Sequence, residues 1–133
     1  MSIEEKQLGP INKVCVVGLG YIGLPTAAFI ADSGISVVGV DINERHVEKI
    51  NNGEMPFFEP GFEALLKSVV ADGHLKADTE VAEADAFIVA VPTPFNDDYS
   101  VNMSYIEAAA KNIAPVLRPG ALVVLESLPS RDH

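Results

Sequence analysis

Three glycines in Gly18-Leu19-Gly20-Tyr21-Ile22-Gly23 follow directly on the apolar run Val14-Cys15-Val16-Val17. An acidic residue, Asp41, closes a second apolar run, Val37-Val38-Gly39-Val40, 18 residues after Gly23. Glycines cluster in many turns, so spacing alone says little. The context gives it chemical meaning, because a glycine turn that leaves a strand, opens a helix and is followed by a carboxylate about 20 residues on is built to hold a dinucleotide. Gly18 then permits the tight turn, Gly20 lets backbone approach a pyrophosphate, and Gly23 lets the helix lie against the sheet. The first-turn N–H groups and the helix dipole would stabilise the diphosphate charge locally. Asp41 would accept the adenosine ribose hydroxyls and would repel a 2′-phosphate, which favours NAD over NADP. Arg45, one helical turn beyond Asp41, suits a ribose edge, a phosphate or simply solvent.

A second segment, Ala90-Val91-Pro92-Thr93-Pro94-Phe95, leaves the fourth apolar run between two prolines. Ligands of open α/β sheets bind beyond the carboxyl ends of strands, where strand order reverses, and this strand is expected beside the first. The prolines fix the backbone there and would present the Thr93 hydroxyl to a nicotinamide ribose; a proline-rich loop that merely ends a strand is the plainer alternative. Other chemistry is poorly supplied. His46, His74 and His133 are dispersed, and Cys15 is the one cysteine, so no metal site is expected. No Gly-x-Ser-x-Gly elbow offers a nucleophile. Asp97-Asp98 reads as a solvated turn. The pattern is that of a cofactor cradle without a catalytic acid and base.

The elements that must position these residues fit in one domain. The chain has 133 residues, 48% of them hydrophobic and 21% charged, enough to bury roughly two-thirds of its unfolded surface without a disulfide. No apolar run approaches the ~18 residues of a membrane span. With 9 Lys+Arg against 19 Asp+Glu, a net charge of −10, the overall field repels polyphosphate chains and anionic lipid, so nucleic acid and membranes are not expected partners. The polar, acidic start Met1-Ser2-Ile3-Glu4-Glu5-Lys6 has no basic, apolar leader pattern, and a cytoplasmic location is expected.

Strands are expected at Lys13 to Val17, Ser36 to Val40, Ala86 to Val91 and Ala121 to Leu125, with a weaker one at Leu75 to Asp78. Helices are expected from about Ile22 to Asp32, from the N-cap Asn43 to Asn51-Asn52-Gly53, from near Glu59-Pro60-Gly61 with Phe62, Leu65, Leu66 and Val69 inward, and from a Ser104-x-x-Glu107 capping box with Ile106, Ala109, Ala110 and Ile113 inward. Pro115 should kink or end the last helix. Continuous apolar strands alternating with helices predict an α/β, Rossmann-type doubly wound parallel sheet in a single domain, covered on both faces. Cys15 should pack in the first strand as a small hydrophobe. The expected divisions are an N-terminal extension at 1–12, the nucleotide-binding domain at 13–127 and a divergent tail at 128–133.

Gly18-Leu19-Gly20-Tyr21-Ile22-Gly23-Leu24-Pro25, then Gly39-Val40-Asp41, Glu59-Pro60-Gly61 and Val91-Pro92-Thr93-Pro94-Phe95, in this order, resemble the N-terminal domain of the UDP-sugar and GDP-sugar dehydrogenases. The Gly-Leu-Pro opening and the Val-Pro-Thr-Pro-Phe loop are most similar to the branch acting on UDP-N-acetylmannosamine. The resemblance spans about Lys13 to Glu126. It implies an NAD-dependent enzyme that oxidises a sugar C6 alcohol to a carboxylate in two hydride transfers through a cysteine thioester. It also implies that Gly18, Gly20, Tyr21, Ile22 and Gly23 line the pyrophosphate, Asp41 the ribose, Arg45 the adenosine end and Thr93 the nicotinamide side. The family's nucleophilic cysteine, its lysine and its sugar-binding residues come from later segments, and Cys15 is in the wrong strand to replace that nucleophile. After Leu125-Glu126-Ser127 the family continues with a threonine and a glycine-threonine turn, whereas this chain reads Leu128-Pro129-Ser130-Arg131-Asp132-His133. The chain alone is therefore expected to bind NAD but to be inactive, with the UDP-sugar bound only by a longer chain.

The alternative is an NAD-sensing regulatory module of the kind attached to potassium transporters, which shares the glycine turn and the acidic residue. The Glu59-Pro60-Gly61 and Pro92-Thr93-Pro94 motifs favour the dehydrogenase. Homo-oligomer formation is expected only through apolar surface left uncovered.

Overall fold

The computed structural model describes residues 11–91 and 103–126. Five strands, β1 (Lys13–Val17), β2 (Ser36–Val40), β3 (Leu75–Asp78), β4 (Ala86–Val89) and β5 (Leu122–Leu125), form one parallel sheet in the order β3-β2-β1-β4-β5. The helices are α1 (Gly23–Asp32), α2 (Glu44–Asn51), α3 (Glu63–Ala71) and α4 (Ser104–Ile113), the last running into a 3-10 turn at Ala114–Val116. The sheet is the expected doubly wound one, and its order reverses between β1 and β4.

The alternation of side chains along a strand explains why β1 reads as an unbroken apolar run. Val14 and Val16 face a core shared with Leu24, Ala27, Ala28 and Ala31 of α1, Ile50 of α2, and Leu66 and Val69 of α3. Cys15 and Val17 face the opposite core, with Phe87 and Val89 of β4 and Ala109 and Ile113 of α4. Burial pushes the Cys15 thiol above its ordinary pKa, so it behaves as the small hydrophobe expected. The alanines of α1 bring that helix close to the sheet over the glycine turn.

Four local features depart from the sequence reading. Ser104 is the first residue of α4, and Met103 occupies the cap position without a side-chain cap bond. The expected Ser104–Glu107 capping box therefore does not form with Ser104 as the cap. On α4, Ala109 and Ile113 are buried and Ile106 half-buried, but Ala110 is exposed. The helix turns Ala109 and Ile113 toward β4, which leaves Ala110 beside a shallow apolar groove of about 220 Å³ with Val89, Leu117, Val123 and Leu125. β4 pairs only to Val89, although Ala90 N–H still donates to Val17 O at 2.8 Å. Lastly, the sheet is not covered on both faces throughout. Val123, Val124 and Leu125 of the edge strand β5 are 49%, 40% and 52% exposed, because α4 lies over β4 and no described element lies over β5.

Two polar side chains tie the margins of the sheet, one at an edge strand and one at the start of the central strands. Asn51, read from sequence only as part of a helix stop, pairs its amide with the backbone of Ala77, donating from Nδ2 to Ala77 O at 2.9 Å and accepting Ala77 N–H at 2.8 Å. It stands in for the missing neighbour of the edge strand β3. At the opposite end of the sheet from the glycine turn, Asp85 accepts the N–H groups of Asn12 at 2.9 Å and Lys13 at 3.0 Å and pairs with Arg118 Nη2 at 3.0 Å. The two backbone N–H bonds first, and then Arg118, hold its carboxyl below the ordinary range.

Candidate functional site

All five strands end at one cleft of about 730 Å³. Val17 and the glycine turn enter from β1, Val40, Asp41 and Ile42 from β2, Thr79, Glu80 and Val81 from β3, Ala90 and Val91 from β4, and Glu126 from β5; α4 adds Tyr105, Ala108, Ala109 and Asn112. The cleft straddles the β1/β4 reversal, the position at which open α/β sheets hold ligands.

The three glycines of the turn differ in what requires them. Gly18 has φ +100°, and a Cβ there would run into the Ala90 carbonyl. A Cβ on Gly23 would run into the Gly18 carbonyl and meet Ala90 Cβ at 3.1 Å. The protein's own packing forbids side chains at both. Around Gly20 no atom of the described residues beyond its chain neighbours lies within 4 Å of the place a Cβ would take, and the residue is exposed along the cleft. The bare backbone at Gly20 leaves room for a ligand. α1 begins here without a side-chain cap, Ile22 being its cap residue. The N–H groups of Gly20, Tyr21 and Ile22 meet no acceptor among the described residues. Orphan donors at a helix start suit an anion.

Asp41 is fixed from both sides. Its Oδ2 accepts Leu19 N–H at 3.1 Å, and its Oδ1 accepts Asn43 N–H at 2.9 Å. Asn43 in turn caps α2, its Oδ1 accepting Arg45 N–H at 3.0 Å and His46 N–H at 3.2 Å. Each carboxylate oxygen keeps a lone pair for a further donor. Leu19 itself is fully buried, and a Cβ at Gly39 would lie 2.7 Å from Leu19 Cδ2. The glycine in the middle of β2 thus makes room for the side chain that anchors the turn. These features fit a dinucleotide: space at Gly20, unpaired donors ahead of α1, and a fixed carboxylate one strand over.

Of the residues singled out from sequence, Gly18, Gly20, Tyr21, Ile22 and Asp41 line the cleft. Tyr21 also packs on Phe57, with ring centroids 4.3 Å apart and tilted by 40°. Gly23 is buried at the helix–strand contact rather than in the lining, and Arg45 is exposed on α2, outside the lining. Thr93 lies outside the described residues. The sequence reading missed Ile42, Thr79, Glu80, Val81, Glu126 and the contribution of α4. The rule that ligands sit beyond strand ends could have found Thr79 and Glu126, since each follows a recognised strand; nothing in the spacing marks Asn112. The charged side chains of the lining are Asp41, Glu80 and Glu126, and among the described residues no lysine, arginine or histidine joins them. Among the described residues no helix is long and apolar enough to cross a membrane.

A parallel sheet that reverses its order beside a glycine turn, with a carboxylate at the end of the next strand, defines a dinucleotide-binding domain of the Rossmann type. Residues 12–129 match the model of the UDP-glucose/GDP-mannose dehydrogenase family, NAD binding domain, and the chain belongs to that family as its NAD-binding domain. Membership sets aside the transporter-module alternative. The chain is 57% identical over 121 residues to a UDP-N-acetyl-D-mannosamine dehydrogenase of Campylobacter jejuni, covering 90% of this chain and 30% of that protein. It is 54% identical over 114 residues to an NDP-N-acetyl-D-galactosaminuronic acid dehydrogenase of Ralstonia nicotianae, covering 86% of this chain and 27% of that protein. The solved UDP-N-acetyl-mannosamine dehydrogenase of Staphylococcus aureus superposes with a TM-score of 0.84 at 44% identity, over 86% of this chain and 28% of that one. The chain thus spans less than a third of the length of the relatives it matches.

Proposed function

We propose that NAD lies along the cleft with its diphosphate on the backbone of Gly18, Gly20, Tyr21 and Ile22, held by the α1 dipole, while Gly23 supports the turn from behind. Asp41 accepts the adenosine ribose hydroxyls through the lone pairs that Leu19 and Asn43 leave open. Arg45 stands at the adenosine rim, and Thr93 serves the nicotinamide side. The observation that carries this reading is the open space at Gly20, the one glycine of the turn that the protein's own packing does not require.

In a chain with the remaining length of its relatives, the activity we assign is the oxidation of a nucleotide sugar, of the UDP-N-acetylmannosamine kind, from a C6 alcohol to a carboxylate. Bound NAD would supply the hydride acceptor. The names of the relatives support this substrate class. The sole cysteine, Cys15, is fully buried in β1 and outside the cleft lining, so the role assigned to this chain alone is to hold cofactor without turnover. Its location is cytoplasmic, and self-association runs through the bare apolar side chains of β5. The test is a crystal of the chain soaked with NAD, paired with an assay for NADH formation on UDP-N-acetylmannosamine. Diphosphate density at Gly20 with no turnover supports the reading. Density elsewhere, or NADH production, overturns it.

A further inference from the structure

We propose that Glu126, latched by Thr26, is the residue through which this domain favours the oxidised over the reduced cofactor; the inference rests on the groove reading above. Asp41 follows β2 on one side of β1, and Glu126 follows β5 on the other side, beyond β4. A dinucleotide with its ribose at Asp41 and its diphosphate at the start of α1 must extend its nicotinamide half toward the ends of β4 and β5. Glu126 lines the cleft at that end.

Its carboxylate is held in place. The Thr26 hydroxyl donates to Glu126 Oε1 at 2.8 Å, joining residues 100 positions apart, and Glu126 N–H donates to Val89 O at 2.8 Å. Thr26 belongs to the same helix whose N-terminus faces the diphosphate, so the two halves of the groove share one support. The latch needs only an acceptor, which a glutamine amide oxygen supplies equally well. The negative charge is more than the latch requires. It sits half-buried in a cleft whose charged lining is otherwise Asp41 and Glu80, with no cation among the described residues. The oxidised nicotinamide ring carries a positive charge and the reduced ring none, so a fixed carboxylate at this end favours the oxidised form.

The experiment is a titration of the chain with NAD, NADH and ADP-ribose, in the wild type, Glu126→Gln and Thr26→Val. Glu126→Gln keeps the latch and removes the charge. It is expected to weaken NAD about fivefold to tenfold relative to NADH, with ADP-ribose, which has no nicotinamide, unchanged. Thr26→Val keeps the charge but frees it, and moves the NAD/NADH ratio the same way by a smaller factor. Equal weakening of all three ligands by Glu126→Gln would make the residue a structural brace only and overturn the proposal. So would a ratio that neither variant moves, and should Glu126→Gln fail to fold, Thr26→Val decides alone. Wild-type chain that fails to bind ADP-ribose removes the groove reading itself, whereas ADP-ribose binding with an unmoved ratio removes only the role of Glu126.

Discussion

The carboxylate of Asp41 accepts the backbone N–H of Leu19 at 3.1 Å. The side chain assigned to the ribose is therefore also a brace for the turn assigned to the diphosphate. The two subsites are one mechanical unit, tightened by the second bond from Asp41 to Asn43 N–H and by Leu19 filling the space over Gly39. A residue with both duties should show both losses when removed.

Asp41→Ala is expected to lower stability by about 1–3 kcal/mol, because two backbone donors lose their acceptor, and to weaken NAD at least about tenfold. Asp41→Asn, which keeps one acceptor oxygen, should fall between. Urea unfolding and calorimetric titration on the same preparations separate the two effects. A variant that loses affinity with no loss of stability would contradict the brace.

The glycine turn gives a sharper contrast. Gly18→Ala and Gly23→Ala force a Cβ into backbone carbonyls, and both should unfold the domain or cut its stability by several kcal/mol. Gly20→Ala meets open space, so its stability should stay within about 1 kcal/mol of wild type while NAD binding drops sharply. Thermal melts with and without NAD check this. A Gly20→Ala chain that NAD still stabilises normally would show that the backbone there is not the contact.

Asn51→Ala removes the amide that pairs with both backbone groups of Ala77. The cost expected is about 1–3 kcal/mol, with NAD affinity of the folded fraction unchanged, since Asn51 lies outside the cleft. Denaturant curves and a titration read the two quantities. Altered affinity would mean that β3 moves with its edge clamp.

Asp85 makes stability depend on acid. Its carboxyl is held below the ordinary value of 3.8, chiefly by the N–H groups of Asn12 and Lys13. Above that value both folded and unfolded chains are ionised and the stabilisation is complete. As pH falls through 3.8 the unfolded chain takes up the proton first, and stability is lost until the native carboxyl protonates as well. Asp85→Asn should lower the melting temperature at neutral pH and flatten this acid limb. Asp72, lowered by its hydrogen bonds with His74, keeps its own share of the limb in both proteins. Parallel wild-type and variant curves below pH 4 would refute the assignment.

The elements that burial dictates were readable in the sequence. β1 with its two cores, the glycine turn, the Asn43 cap on α2 and the parallel order around β1 all follow from apolar runs, small residues and one capping side chain. What escaped depends on how distant pieces meet. The Asn51–Ala77 and Thr26–Glu126 bonds join residues 26 and 100 positions apart, and no local pattern announces them. The Ser104-x-x-Glu107 pattern fits the helix start but does not fix which residue is the cap, and Met103 takes that position. The exposed β5 escaped because an apolar run says that a strand seeks cover and does not supply it. At the site, Gly18, Gly20 and Asp41 were marked by type and spacing, whereas Glu80 and Asn112 reach the cleft only through the fold.

The central claim is that a glycine turn and Asp41 form an NAD site, and titrating the chain with NAD and NADP tests it most directly. The account predicts saturable NAD binding and NADP affinity lower by at least about tenfold, because the 2′-phosphate would meet the Asp41 carboxylate. Equal affinity for the two cofactors, or binding of neither, would contradict it.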